Sequence, residues 1–210
     1  DKIAKADVFV FLDAVDYPKQ SWTNRVRLNI QDQAQWVTCP VKRTADKICD
    51  AEIDDAKPWR DKLLKTLEAN YARAPRFAET MTMLEPLVRA PQSRLSEFNI
   101  NAIGDIARAI GLNTPFLRQT ALGGEGASNL LLVSLVQAAG GDAYLIGGGA
   151  GGYRDDAPFT EAGIQVIEQN FTPHPYGPQE RFIPGLSVID YLMHDGADMR
   201  NARSGDFSRA

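Results

Sequence analysis

Residues Gly140–Asp156 read GGDAYLIGGGAGGYRDD, and no other stretch of the chain departs so far from ordinary protein composition. A short apolar run, Ala143–Ile146, leads directly into a series of glycines. Glycine lets a backbone approach another group closely, because it has no Cβ and adopts positive φ at little cost. The stretch therefore predicts a buried strand that opens into either a flexible junction or a loop lying against a ligand.

The glycines also satisfy the dinucleotide-binding spacing GxGxxG at Gly147, Gly149 and Gly152. A run of glycines matches that spacing almost automatically, and the fingerprint further requires its third glycine to open a helix. Pro158 follows soon afterwards without an amphipathic period, so a nicotinamide dinucleotide site is disfavoured.

Composition limits the class of protein. The chain has 210 residues, of which 44% are hydrophobic, and a formal net charge of -4. This length suits one large domain or one domain with an insert, and the mild acidity disfavours a protein that wraps nucleic acid. Cys39 and Cys49 have neither CxxC spacing nor a neighbouring histidine, so we expect no disulfide framework, no metal site and a cytoplasmic location. No apolar run is long enough to span a bilayer, so we expect no membrane insertion.

The amino-terminal end of the sequence lacks a methionine, and Asp1–Lys5 resembles the end of a helix already under way. We therefore expect further residues upstream of Asp1, whose role stays open. The oligomeric state is equally open, with a homodimer as one alternative.

Strand-like segments occur towards both ends of the chain. Asp7–Asp13 is a continuous apolar run typical of a buried strand, and Arg25–Ile30 alternates like a half-buried one. A turn at Gln31–Gln33 separates the second of these from another strand at Gln35–Lys42. Further strands are predicted at Phe116–Gln119, Ala143–Ile146 and Gly163–Phe171.

The middle of the chain has a helical period. Trp59, Leu63, Leu67 and Tyr71 recur every fourth residue, as on one face of an amphipathic helix. Further helices are predicted from Pro75 to Pro86, from Ser96 to Ile110 with Gly111 at C′, at Asn129–Ala139, and from the cap Ser187 to Gly196. The pattern predicts an α/β fold with a mostly parallel sheet. Its core comprises 1–56 and 113–199, its helical insert 57–112 and its tail 200–210.

Asp13 ends the first predicted strand, and the carboxyl ends of strands in α/β sheets are where ligands gather. The loop that follows carries Lys19, Trp22, Asn24, Arg25 and Arg27. An indole offers a stacking face and a guanidinium offers bidentate contacts to phosphate, so this loop is a candidate site for a sugar or a nucleotide. In the alternative interpretation, Asp13 caps a turn and the cations are only solvated.

His174 lies between Pro173 and Pro175, which stiffen a loop beyond a predicted strand. An imidazole on a rigid loop is a candidate general base near neutral pH, and a surface histidine is the alternative. Lys42 and Arg43 are weaker candidates for phosphate contacts. Asp155 and Asp156 are weaker candidates for a metal or a hydroxyl, since paired aspartates before a proline are commonly turn residues.

Seven segments then occur in a fixed order along the chain. They are VFVFLDAVDYPKQSWTNRVRL (8–28), WVTCPVK (36–42), LKTLEANYARAPRF (64–77), LSEFN (95–99), IARAIGL (106–112), GGDAYLIGGGAGGY (140–153) and PGLSVIDYLMHDG (184–196). Together they resemble the WbqC-like family of bacterial proteins, over nearly the whole chain. Relatives usually begin with a further strand and a QPxFxPxxGYF-like segment, in keeping with the residues expected upstream.

The resemblance implies work in O-antigen or other surface polysaccharide biosynthesis, where a glycine (aminoacyl) transferase role has been suggested for the family. It implies transfer of a glycyl or other acyl group from an aminoacyl donor to an amino sugar or nucleotide-sugar. ATP or a nucleotide-sugar would serve as a substrate. A nucleotide-dependent ligase or nucleotidyltransferase is one alternative, and a non-catalytic sugar-nucleotide-binding subunit is another.

The resemblance also implies which residues form the site. The family pattern falls on Asp13, Lys19, Trp22, Asn24, Arg25, Lys42, Gly147, Tyr153, Gln179, Ser187 and Asp190. Combining this pattern with the residues singled out above, we predict that His174 deprotonates the acceptor amine and that Asp13 holds a sugar hydroxyl. We also predict that Arg25 and Lys42 bind the diphosphate, and that amides of the glycine run, Gly149 included, hold an oxyanion or a phosphate. Asp16 departs from the family pattern, which usually has glutamine there. A weaker resemblance to the α/β domains of pantothenate synthetase and nucleotidyltransferases implies a sheet of HUP or Rossmann-like type.

Overall fold

The computed structural model of the chain describes residues 1–18, 21–42, 45–147 and 155–196, with only the backbone of Gln179. Its strands are β1 (Phe9–Phe11), β2 (Arg25–Ile30), β3 (Gln33–Thr38), β4 (Phe116–Arg118), β5 (Ala143–Ile146) and β6 (Gln165–Glu168). Its α-helices are α1 (Lys2–Lys5), α2 (Trp59–Tyr71), α3 (Phe77–Arg89), α4 (Leu95–Ala109), α5 (Gln119–Leu122), α6 (Ser128–Ala138), α7 (Ala157–Glu161) and α8 (Val188–Asp195).

The described residues fall into two compact units. The first unit comprises Asp1–Ala14 and Leu112–Thr172, and the second comprises Val15–Gly111 and the described part of Pro173–Ala210. In the first unit β1 pairs in parallel with β4 and β5 pairs in parallel with β6, whereas β2 and β3 form an antiparallel hairpin in the second. The predicted α/β class is therefore confirmed, with small two-stranded sheets. The predicted division into a core and an insert stays a prediction.

Aromatic and aliphatic side chains hold the first unit together. The ring centroids of Phe9 and Phe116, on neighbouring parallel strands, lie 6.0 Å apart in an edge-to-face arrangement. At the other sheet the ring of Tyr144 on β5 stacks on that of Phe159 on α7 at 5.2 Å. Phe159 is almost completely buried and packs with Val133 of α6, so one short helix and one longer helix cover the β5–β6 pair.

The hairpin of the second unit separates its two faces by simple alternation. Val26 and Leu28 on β2 point into a core that also contains Leu67 of α2, Leu84 of α3 and Met193 of α8. The intervening residues of β2 point to the opposite face, because successive side chains of a strand alternate. The turn that sets this register is Gln31–Asp32, whose φ angles of 55° and 58° are those of a type I′ hairpin turn.

Helix α3 corrects one predicted boundary. Pro86 was expected to end this helix, but the helix continues through it to Arg89. A proline inside a helix leaves the carbonyl four residues earlier without its partner. That carbonyl belongs to Thr82, which is exposed, so water can take the place of the missing N–H. Leu84 and Val88 meanwhile stay buried on the apolar face of the helix.

The region after the glycine run also differs from the prediction. The expected strand Gly163–Phe171 is shorter, because β6 occupies only Gln165–Glu168. The preceding residues form α7, which has a proline in its first turn and was not predicted. Gly163, with φ of +71°, then reverses the chain into β6. No helix within the described residues is long and apolar enough to cross a membrane.

Candidate functional site

The residues predicted for the site belong to both units. Asp13 and Gly147 lie in the first unit, whereas Trp22, Asn24, Arg25, Lys42 and His174 lie in the second. Lys19, Gly149, Tyr153 and the side chain of Gln179 lie outside the described residues. Each group is therefore built up within its own unit.

The outer face of the β2–β3 hairpin carries an aromatic and cationic cluster. The guanidinium carbon of Arg25 lies 4.1 Å from the ring centroid of Trp36, as in a cation–π contact. Trp36 in turn meets Trp22 edge to face, with centroids 4.6 Å apart. Trp22 is 62% exposed and Trp36 43% exposed, so both indoles keep a large part of their surface in water. We call Trp22, Arg25, Arg27 and Trp36 the hairpin cluster.

Strand pairing explains why these side chains meet. Arg25 pairs with Thr38 across the hairpin and Arg27 pairs with Trp36. Residues directly opposite each other share a face, and diagonal neighbours remain within reach of long side chains. Arg25 therefore reaches Trp36 along the diagonal, from the opposite strand.

Hydrogen bonds fix the segment that leads into β2. The side-chain amide of Asn99 donates to the carbonyl oxygen of Thr23 over 2.8 Å, and the amide of Asn24 donates to that of Cys39 over 3.0 Å. Two buried polar atoms of this segment have no hydrogen-bond partner, namely Oδ1 of Asn24 and Nε of Arg25. Unpaired buried polar atoms are uncommon in native proteins and call for an explanation, of which ligand binding is one.

The charges on this face are not neutralised within the described residues. Neither Arg25 nor Arg27 has a carboxylate of the described ranges within 4.0 Å. Lys42 differs, because its Nζ lies 2.9 Å from a carboxylate oxygen of Glu52 in an exposed ion pair. This hydrogen bond raises the pKa of Lys42 and lowers that of Glu52. Lys42 thus already has an anionic partner, which makes it a weaker candidate for binding a phosphate.

His174 is exposed and has no hydrogen-bond partner among the described residues. Its loop is nevertheless anchored close by. The phenol of Tyr176 donates to Oδ2 of the buried Asp190 over 2.8 Å. Gly177 has φ of +61°, and a Cβ there would lie 2.9 Å from Cγ of His194, so the loop backbone packs directly on that ring. These two contacts fix the loop that carries the solvated His174 imidazole.

Asp13 is buried in the first unit at the carboxyl end of β1. One of its carboxylate oxygens accepts a hydrogen bond from the backbone N–H of Thr120 at 2.9 Å, and the other accepts one from the Thr120 hydroxyl at 2.8 Å. The backbone N–H of Ala14 donates to the side chain of Gln119 over 3.3 Å. These bonds join the end of β1 to the start of α5, so Asp13 has at least a structural role.

Gly147 directly follows β5. A Cβ at this position would lie 3.2 Å from Nζ of Lys2, so the absence of a side chain allows this cation to approach the strand end. The rest of the glycine run to Gly152 lies outside the described residues. No group of three or more metal-binding side chains occurs in the described ranges.

Trp36 is the functional candidate that the sequence reasoning did not single out. Its signal was only partial, because the predicted turn at Gln31–Gln33 is one residue longer than the observed turn Gln31–Asp32. Only the observed register places Trp36 opposite Arg27. Asp190 was predicted from the sequence as part of a helix cap pattern and, through the family pattern, as a site residue. The structure gives it two phenol partners, Tyr71 and Tyr176.

Comparison with known proteins places these observations in context. The family model described as the WbqC-like protein family matches residues 1–202. The chain is similar to a Mycobacterium tuberculosis protein named only as uncharacterised, at 30% identity over 204 residues, which cover 94% of this chain and 88% of that protein. No solved structure gives a significant match to the chain.

Proposed function

This chain belongs to the WbqC-like protein family, and we propose that it is a transferase in bacterial O-antigen or other surface polysaccharide biosynthesis. The reaction is transfer of a glycyl or other acyl group to an amino sugar, either free or as its nucleotide derivative. We place it in the cytoplasm, with the homodimer as the proposed assembly.

The observation that carries the proposal is the hairpin cluster. Exposed indoles, together with guanidinium groups that no described carboxylate neutralises, suit a substrate that combines a ring with negative charge. A nucleotide-linked amino sugar has both. ATP is a further candidate substrate. We also propose a sheet of HUP or Rossmann-like type, for which the parallel pairs β1–β4 and β5–β6 are the supporting feature.

The proposed chemistry requires a base for the acceptor amine. In the proposed step the amine nitrogen attacks the acyl carbonyl, a carbon–nitrogen bond forms, and the bond to the donor's leaving group breaks. His174 accepts the proton that the amine releases, from a loop that Tyr176 anchors to Asp190. Asp13 remains a second proposed catalytic residue, since it stands at the carboxyl end of a parallel strand.

A non-catalytic sugar-nucleotide-binding subunit is the second candidate function. Two observations favour it. Both carboxylate oxygens of Asp13 already accept hydrogen bonds from Thr120, and His174 has no described residue to orient its imidazole. Catalytic bases are commonly held by a third group, whereas binding alone needs none.

The test is transfer by the purified full-length protein. Amino sugars and their nucleotide derivatives are incubated with glycine and ATP or with glycyl-tRNA, and the acceptor mass is followed by mass spectrometry. We expect a glycyl adduct that is lost in His174→Ala and kept in Glu180→Ala, an exposed residue of the same segment. Full activity in His174→Ala would overturn the base assignment. Binding of a nucleotide-sugar without any adduct would favour the non-catalytic subunit.

A further inference from the structure

We propose that the hairpin cluster binds a nucleoside diphosphate, with the base stacked on Trp22 and the diphosphate held by Arg25 and Arg27. The inference rests on the proposed function in one respect, since it makes the acceptor a sugar that is still nucleotide-activated. Acyl transfer would then precede the reaction in which a glycosyltransferase consumes that activated sugar.

The indole pair provides the stacking surface. Trp22 is 62% exposed, although a tryptophan buries much of its large apolar surface in most folded proteins. Its position is nevertheless fixed, because Trp36 supports it edge to face at 4.6 Å and Ser21 and Thr23 hydrogen-bond to each other on either side of it. A fixed and exposed indole loses little conformational entropy on binding, and nucleobases stack on such rings.

The arginines provide the anion site. Six other arginines of the second unit lie within 4.0 Å of a carboxylate. They are Arg60, Arg76, Arg89, Arg94, Arg108 and Arg181. Arg25 and Arg27 instead face Thr38 and Trp36 across the hairpin, and neither of these can neutralise a cation's charge. Arg25 and Arg27 are two residues apart on one face of β2, about 7 Å along the strand, so two guanidinium groups can meet an anion with more than one phosphate.

The same charges argue against a neutral sugar at this position. Sugar hydroxyls are commonly held by carboxylates and amides beside the aromatic ring, but no carboxylate of the described residues lies within 4.0 Å of Arg25 or Arg27. The unpartnered Nε of Arg25 adds to the case, because a phosphate that draws the guanidinium towards it also supplies Nε with an acceptor. A ring that carries phosphate fits this surface better than a ring that carries only hydroxyls.

Binding to the full chain tests the inference directly. Calorimetry and quenching of tryptophan fluorescence are recorded with UDP, dTDP, ADP and GDP, and with uridine and inorganic pyrophosphate as the separate halves of the ligand. We expect at least one diphosphate to bind at least tenfold more tightly than either half, and its affinity to fall as salt rises. Equal binding of pyrophosphate would show an anion site without base recognition and would overturn the inference.

Variants locate the site. Trp22→Ala and Arg25→Ala are each expected to weaken diphosphate binding at least tenfold, whereas Lys65→Ala removes an exposed cation of α2 and should leave affinity within twofold. Trp22→Phe keeps a stacking face and should keep most of the affinity, which separates stacking from misfolding.

Unchanged affinity in both alanine variants would overturn the inference, as would tighter binding of a single-stranded oligonucleotide. Acyl transfer to a free amino sugar, with no diphosphate bound, would overturn it while leaving the proposed function standing.

Discussion

Tyr71 donates its hydroxyl hydrogen to Oδ1 of Asp190 over 2.7 Å, and this buried contact joins two residues 119 positions apart in the sequence. The same hydroxyl accepts a hydrogen bond from the backbone N–H of Asn29 at 2.9 Å. A single phenol oxygen thus links α2, α8 and the edge of β2 that does not pair with β3. On the same edge the carbonyl oxygen of Arg27 accepts a hydrogen bond from the backbone N–H of Ser187.

Removing the Tyr71 hydroxyl is expected to destabilise the protein. Tyr71→Phe keeps the ring in the core but leaves the Asn29 N–H and one oxygen of Asp190 without a partner, at a cost of about 1–3 kcal/mol. Urea unfolding followed by circular dichroism measures this. Tyr176→Phe is the matched control, because the Tyr176 hydroxyl bonds Asp190 alone and is only partly buried, so its loss should cost less. Equal stability of Tyr71→Phe and the natural protein would contradict the linking role.

Stability should also fall in the alkaline range. Burial and then the neighbouring Asp190 raise the pKa of Tyr71 and of Tyr176 above the ordinary 10.0. Above about pH 10 the unfolded chain therefore loses phenol protons that the folded protein keeps, so the free energy of unfolding decreases as pH rises. We expect the urea midpoint to fall progressively as the pH rises above about 10. The Tyr71→Phe/Tyr176→Phe double variant should show a shallower slope, and an identical slope would contradict the assignment.

Cys39 is expected to be an unreactive thiol. Burial raises its pKa from 9.0 to about 12, since the nearby Arg60 offsets only part of the desolvation. In a Cys49→Ser variant at pH 8.5, iodoacetamide should alkylate the folded protein at least about tenfold more slowly than the urea-unfolded chain. Because the folded thiol keeps its proton between 9.0 and about 12, it also adds to the alkaline loss of stability. Similar alkylation rates in the folded and unfolded chains would contradict this prediction.

Local patterns predicted those elements whose cause is local. The helical period of Trp59, Leu67 and Tyr71 predicted α2, which begins at Trp59 and ends at Tyr71, and all three side chains are buried. Alternation predicted β2, but the predicted turn at Gln31–Gln33 and strand Gln35–Lys42 differ from the observed β3, which spans Gln33–Thr38. Gly111, with φ of +76°, ended α4 as expected.

Relationships between distant segments could not be predicted in this way. Tyr71 was expected only as an apolar core residue, because nothing near it in sequence indicates that its hydroxyl reaches Asp190. The contact between Arg25 and Trp36 requires the strand register, and the proposed site at Trp22 became visible only once Trp36 was known to support it.

Asp13 allows a structural role to be separated from the proposed catalytic one. Its buried carboxylate accepts from both the backbone N–H and the hydroxyl of Thr120, in the first turn of α5. Asp13→Ala leaves both Thr120 donors without this acceptor and is therefore expected to cost about 1–3 kcal/mol of stability. Thr120→Val removes one of the same bonds while leaving the carboxylate in place, so it is the matched control. Acyl transfer is then measured at a temperature at which both variants are folded. If Asp13 also serves catalysis, Asp13→Ala should lose the activity while Thr120→Val keeps it. Equal activity of the two folded variants would restrict Asp13 to joining β1 and α5.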